Sequence, residues 1–464
     1  MTSSASPSTT NATETPGAPH ATSPHATPDA ASPDHAAGTG PGRSASAGAA
    51  GRGRFARLPL LAGRSFIPLG LFARLPLAML TVGTLTMVTS VSGSYAVGGV
   101  AAGAVGIGSA LGAPLLGALA DRQGQRPVLV AAAVINTAAV LALILAAAGM
   151  GTSGFQAAVL AAAFAAGASC PQVGPLARVR WMALTSRGRL QDNARDLDTA
   201  LSYESTADEV TFVLGPALVG ILASLLAPWL PLALAAAMTI TLVPAFAAHP
   251  THRAVRPHRR AAGKATGTVP VAGRIPPAVA LPVFAMVCMG TFFGSTQAAL
   301  SSFSAGFAGS EIAGLLYAVM GLSSAATALS VAYWPRRFSL SWRWVLCAGL
   351  MAALALLLLV PSSLAAMVAV LLILGLPVGP VMVTVFAVGG VVAPARRLGT
   401  VMTALASGIV AGTALGSSIG GHLAEAGGHH AAFLVPVCAA VSLALLGAAA
   451  AVVLRRKRNR TQVP

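Results

Sequence analysis

Charge is scarce in this sequence. Of 464 residues only 9% are Asp, Glu, Lys or Arg, while 55% are hydrophobic. A soluble globular chain carries roughly 25% charged residues. So few charges cannot build a water-facing surface for a chain this long, and the bilayer becomes the solvent for most of it. Cysteine is scarce as well. Cys170, Cys288, Cys347 and Cys438 each lie inside an apolar run, far from one another. That spacing excludes a disulfide framework and a zinc site, and the four read as small buried hydrophobes. There is no G-x-x-x-x-G-K-S/T phosphate loop, which argues against ATP hydrolysis. There is no basic start followed by an apolar core at the N-terminus, so no signal peptide is expected. The net charge of +17 would suit nucleic acid only if the basic residues shared a folded face. They sit instead in short clusters between apolar runs, so no nucleic-acid partner is expected.

What is present is a succession of apolar runs long enough to cross a bilayer. They fall at 69–90, 95–118, 128–148, 156–177, 206–227 and 229–248, then at 280–304, 312–334, 345–361, 364–390, 399–424 and 431–454. The fold class this predicts is an all-α integral membrane protein with twelve transmembrane helices. Cytoplasmic segments are enriched in Lys and Arg, and the basic residues test the map. Six precede or open the first span (Arg43 to Arg74) and six lie between spans 6 and 7. Five lie between spans 4 and 5, three between 8 and 9, and two each between 2 and 3 and between 10 and 11. Five more follow span 12. All 29 fall on one side, and the alternate hairpin loops have none. A miscounted span would scatter them over both sides, so the expectation is a multi-pass protein of the cell membrane with both termini cytoplasmic.

Residues 1–54 are rich in Ser, Thr, Pro, Ala and Gly and lack the apolar mass to offset ordering entropy. They read as a disordered cytoplasmic tail, with His20, His25 and His35 as ordinary polar residues rather than metal ligands. Residues 55–68 mix Arg57 and Arg64 with Leu, Phe and Ile, an interfacial lead-in. Residues 69–248 form one six-helix half, 249–279 a basic linker, 280–454 the second half, and 455–464 a basic tail. Weak internal similarity favours duplication. Gly174-Pro175 in span 4 matches Gly379-Pro380 in span 10, and Gly215 and Gly220 match Gly416 and Gly421. Paired repeats are common in secondary transporters, which bind substrate between them near the midplane.

Between spans 2 and 3 the sequence reads Gly117-Ala-Leu-Ala-Asp121-Arg122-Gln-Gly124-Gln-Arg126-Pro. This resembles the loop signature of the major facilitator superfamily, G-x-L-a-D-r-x-G-r-r, at the place where that family carries it. The resemblance implies a fold of two pseudo-symmetric six-helix halves and a gating role for Gly117, Asp121, Arg122, Gly124 and Arg126. Asp121 is an anion at the membrane boundary and needs a partner. Arg122, Arg126 or backbone N–H groups at another helix's start would serve; in the family the matching Asp latches the cytoplasmic side, which places it near Gly399-Thr400. The sequence departs from the family's efflux members, however. Span 4 reads Ala163-Phe164-Ala165-Ala166-Gly167 where they often carry an Arg, and span 5 keeps only the Gly215-Pro216 core of their second signature.

Ionisable residues inside a span are costly, which makes them functional candidates. Glu204, Asp208 and Glu209 sit at the start of span 5 as mapped. They read either as acids favoured at a helix N-terminus or as a site for proton coupling or a cationic substrate. Arg74 in span 1 either snorkels to the interface or, because helices 1 and 5 are neighbours in the family, pairs with Asp208 or Glu209. Gln172, Gln297 and Tyr317 are polar candidates for substrate contact, weighed against interhelical glue. Pro216, Pro377 and Pro380, with Gly215, are expected to bend spans 5 and 10. No cofactor or metal is expected. Only the acidic group of span 5 is available for catalysis, and it has no His or Ser base–nucleophile partner, so no enzyme is expected either. The leading expectation is a secondary transporter moving a small, neutral or amphipathic organic solute, efflux ahead of uptake. An uptake permease for a small metabolite and a non-transporting membrane receptor are the alternatives.

Overall fold

The computed structural model describes residues 54–93, 95–150, 156–186, 190–255, 276–307, 312–335 and 337–460. Long apolar helices run through them: α1 (Phe66–Ser92), α2 (Tyr95–Gln123), α3 (Gln125–Ala148), α4 (Gln156–Thr185), α5 (Leu190–Leu225) and α6 (Leu230–Ala248), then α7 (Ala280–Ala305), α8 (Ile312–Ser330), α9 (Leu340–Ala355) and α10 (Leu364–Val392). The last stretch, Leu398–Arg460, is helical but breaks where Gly427 (φ −140°) and Gly428 (φ +71°) leave helical geometry. It therefore makes two passes, α11 (398–426) and α12 (429–460), which completes twelve.

Several boundaries differ from the sequence map for physical reasons. Helix α4 is in two pieces, Gln156–Ala168 and Val173–Thr185; Pro171, lacking an N–H, falls in the gap. Its second piece continues past 177, so Arg178 and Arg180, assigned to a loop by their charge, lie in a helix. Both are buried, at 1% and 0% exposure. Helix α5 begins at Leu190, not near 206. Its 36 residues make about 54 Å of helix at about 1.5 Å per residue, far more than a bilayer's hydrocarbon needs. Glu204, Asp208 and Glu209 are thus deep in a helix, and the helix N-terminus reading for them falls. Helices α5 and α10 continue unbroken through Pro216 and through Pro377 and Pro380; the interruptions come in α1, at Arg74, and in α4. The expected tail and most of the expected central linker lie outside the described residues. The lead-in forms short helices, Arg54–Arg57 and Leu58–Ala62, whose Leu58 is buried with Phe66 at 1% exposure.

Apolar side chains pack into separate cores. Met286, Phe292, Trp344, Phe386 and Phe433 centre the core of α7–α12. Phe66, Trp181 and Phe246 centre one of the cores among α1–α6. Within each half the closest crossings use small residues, which let backbones approach without a water-driven hydrophobic effect. Gly112 of α2 faces the Ala168 backbone of α4, and Gly412 and Gly416 of α11 face the backbone of α7 at Val287 and Thr291. A single residue, Gly124, turns α2 into α3 with φ +96°, a conformation open to glycine and little else.

A Cβ at Gly412 would come within 2.9 Å of the Thr291 nitrogen, whereas at Gly421 it would meet nothing within 4 Å. Gly412→Leu is expected to cost about 1–3 kcal/mol or more by overpacking and to lower the apparent Tm in detergent. Gly421→Leu, on the same helix, should leave it within error of the wild type.

Candidate functional site

Two features stand out: a buried charge cluster within α1–α6, and a seam where that half meets α7–α12. The cluster grows from the break in α1. Arg74 sits at the break ahead of Pro76, and its Nε donates to the Gly70 carbonyl at 2.9 Å. Its guanidinium then reaches α5, with Nη2 to Glu204 Oε2 at 2.6 Å and Nη1 to Asp208 Oδ1 at 2.8 Å. Arg178 of α4 takes the other Asp208 oxygen at 2.7 Å, and Trp181 Nε1 donates to Glu204 Oε1 at 2.7 Å. Glu204 is thus met on both oxygens and so is Asp208. Two cations face two anions, so the cluster is neutral overall. Its core is nearly dry, with Arg74 and Glu204 at 3% and 1% exposure. Gly174 makes room for it, since a Cβ there would press on Asp208 Oδ1 at 3.2 Å.

Arg180 lies two residues further along α4 and serves another purpose. It donates to Gln125 Oε1 at 2.7 Å, to the Phe246 carbonyl at 2.8 Å and to Thr251 Oγ1 at 3.0 Å, and stacks over the Phe246 ring. It pins α3, α4 and the end of α6 together. At that end His249 is hydrogen-bonded to Ser65; burial, then the charge of Arg180 and the neighbouring His252, pull its imidazole below the ordinary histidine range.

The contacts that join the halves gather at the end carrying the basic connections. Asp121, at the end of α2, caps α11: Oδ1 accepts from the Gly399 N–H at 2.9 Å, and Oδ2 accepts from the Thr400 N–H and hydroxyl, both at 2.7 Å. Of its three possible partners, the backbone N–H groups are the ones it has; Arg122 and Arg126 point out, exposed. Gly117 lies against the Gly399 carbonyl, where a Cβ would come to 2.7 Å. Thr206 Oγ1 donates to the Ala325 carbonyl at 3.1 Å, Ser324 Oγ donates to Glu209 Oε1 at 2.9 Å, and Arg178 stacks on the Phe386 ring of α10 at 3.8 Å. Leu201 packs with Ala328, Val331, Val383 and Ala387 beside them. Arg54, ahead of the first span, donates to the Ala332 carbonyl. A Cβ would meet nothing within 4 Å at Gly99 and Gly103 of α2, Gly220 of α5, Gly314 of α8 or Gly421 of α11.

The sequence candidates therefore divide. Arg74 meets Asp208, and also Glu204, but not Glu209, which turns to α8. Gln172 bonds locally to the Cys170 carbonyl at 2.9 Å, in the break of α4. Gln297 is exposed, and Tyr317 is half-buried with its ring against Phe293. Gly215 brings α5 against α1, where its Cβ would lie 2.6 Å from that of Ala78. Arg178, Arg180, Trp181, Gln125 and Ser324 were not singled out by the sequence. Their charge marks the two arginines as loop residues in the sequence, and only the length of α4 shows otherwise.

Comparisons with known proteins agree with this architecture. The family model described as Major Facilitator Superfamily matches residues 66–408 and 284–464. By sequence, no curated protein matches the chain. Among solved structures, the human organic anion transporter MFSD10 (TETRAN) aligns with TM-score 0.63 at 19% identity, over 82% of this chain and 98% of its own. A bacterial homologue of the iron transporter ferroportin, in an outward-facing state with soaked iron, aligns with TM-score 0.62 at 14% identity, over 83% and 98%. The E. coli fucose:proton symporter FucP (N162A) aligns with TM-score 0.56 at 13% identity, over 83% and 99%.

The cluster yields a stability prediction. Removing one member of a buried ion pair strands the other, at about 3–5 kcal/mol, so Arg74→Met is expected to cost that much in thermal unfolding. Arg74→Met with Glu204→Gln restores charge balance and should regain at least half of it. Arg57, whose pair with Asp196 is 3.4 Å long with a side chain 43% exposed, should cost under about 1 kcal/mol when changed to Ala.

Proposed function

The chain belongs to the major facilitator superfamily, and from that premise we propose that it carries a small, neutral or amphipathic organic solute across the cytoplasmic membrane by alternating access. Efflux is the direction favoured and the proton the coupling ion. The basic end is the cytoplasmic one by the enrichment of Lys and Arg there. The observation that carries the reading is the Asp121 cap. One carboxylate of the first half holds three donors at the start of α11 in the second, in line with the positive end of that helix's dipole. Such a contact belongs to one conformation and must break when the cytoplasmic end opens, so it acts as a latch.

The substrate class follows from where charge is missing. Residues 276–307, 312–335 and 344–395 contain no Asp, Glu, Lys, Arg or His. In the first half Arg74, Arg178, Glu204 and Asp208 are consumed by one another. A solute between the halves meets mainly apolar and small side chains, which suits a neutral or amphipathic molecule better than a highly charged one. Proton coupling is supported by the carboxylates of α5 and by the fold shared with a fucose:proton symporter.

The test is flux of a panel of lipophilic compounds into inside-out vesicles, with and without a proton gradient. Gradient-driven uptake into the vesicles is expected, since it corresponds to efflux from a cell. Asp121→Asn loses the charge from hydrogen bonds worth about 1.5–3 kcal/mol, and at least a roughly tenfold fall in flux is expected. Flux that ignores the gradient would remove the coupling, and full flux in Asp121→Asn would remove the latch.

A further inference from the structure

Glu204, Asp208 and Glu209 follow one another along the middle of α5, and the two arginines that face them, Arg74 and Arg178, serve only two. Arg74 and Arg178 satisfy Glu204 and Asp208. Glu209 comes one residue after Asp208, so it points about 100° around the helix, away from the cluster and toward α8. It is 8% exposed. Its Oε1 accepts from Ser324 Oγ at 2.9 Å, and a Cβ at Gly321 would lie 3.9 Å from its Oε2. Among the described residues it has no salt bridge, and Ser324 is its only side-chain donor.

The groups around it cannot supply a cation. On α5 its neighbour Asp208 is itself an anion held by both arginines. From α4, Arg178 is committed to Asp208 and stacked on Phe386. From α8 the titratable group that faces it is Tyr317, and α10 has no titratable residue along its length. A carboxylate removed from water without a partner charge does not stay ionised; it takes a proton. Burial here depends on the two halves being together, because the wall that covers Glu209 belongs to α8. Thr206 bonding to Ala325 and Gly321 packing on Val213 continue the same seam.

We propose that Glu209 is a proton-binding site tied to the α5–α8 seam. A proton occupies Oε2 while the seam is shut and leaves to cytoplasmic water when it opens. This rests on the alternating-access reading above, and it narrows coupling to one of the three carboxylates. Glu204 and Asp208 become positioning residues that keep α1, α4 and α5 rigid. Because closing the seam takes up a proton, low pH favours the closed cytoplasmic end and high pH favours the open one.

The experiment uses the full chain in lipid nanodiscs, free of its native cysteines, with spin labels on Gln123→Cys and Arg396→Cys, exposed positions on either side of the Asp121 cap. Inter-label distances are recorded from roughly pH 5 to pH 9, a range wide enough to span a carboxylate shifted by burial. The wild type is expected to pass from short to long distances, the open population growing at least about tenfold. Glu209→Gln, neutral and of similar size, should stay short throughout, and Glu209→Asp should keep a transition with a moved midpoint. A Glu209→Gln protein that follows the wild-type curve overturns the proposal, as does a wild type with no pH response. Asp121→Asn separates the two claims. If it lengthens the distance at every pH, alternating access through the latch stands whatever Glu209 does. If it does not, the latch reading fails on its own.

Discussion

A charge removed from water has to be met by an opposite charge or by several aligned donors, or else it is neutralised. In a bilayer that constraint is at its most severe, and the carboxylates Asp121, Glu204, Asp208 and Glu209 satisfy it in three ways. Arg74, Arg178, Glu204 and Asp208 meet one another as ion pairs. Asp121 is met by the N–H groups and hydroxyl at the start of α11. Glu209, with a single hydroxyl on one oxygen, is left for a proton. The positions of α1, α4 and α5, the joint between the halves and the proposed coupling site all follow from these three solutions.

The solutions differ in what they permit. Ion pairs whose four members lie within one half can persist through any movement of that half as a body. The Asp121 cap and the Glu209–Ser324 bond join different halves and cannot survive their separation. Rigidity and motion are thereby assigned to different charges, even though Asp208 and Glu209 are adjacent in sequence. Within each half, glycines such as Gly112, Gly412 and Gly416 hold helices at backbone distance.

Much of this was legible in the sequence. Twelve passes could be read from apolar runs and from basic residues confined to one side, because both signals are physical requirements of a bilayer. The Asp121 loop carried the family, and span 5 announced its carboxylates by their cost. What could not be read were contacts settled by helix geometry. Hydropathy ends a span at the first arginine, so it stops α4 at 177 and places Arg178 and Arg180 in a loop. In the structure they are buried at 1% and 0% exposure, made tolerable by Asp208, Gln125 and the rings of Phe386 and Phe246. The choice of Asp208 over Glu209 as Arg74's partner depends on a rotation of about 100° per residue in a helix whose start, at Leu190, was misplaced by many residues. Ser324 gave no signal, being one serine among several in a small-residue helix.

In the proposed latch, Asp121 holds the end that carries the basic connections shut. The most direct measurement is the reactivity of Thr206→Cys, which sits in the seam against Ala325, toward a membrane-impermeant thiol reagent applied from the cytoplasmic face. In the resting protein, slow labelling is expected, with labelling at least about tenfold faster once Asp121→Asn removes charge-assisted bonds of roughly 1.5–3 kcal/mol. Equally fast labelling with and without Asp121 would show that the cap holds nothing closed.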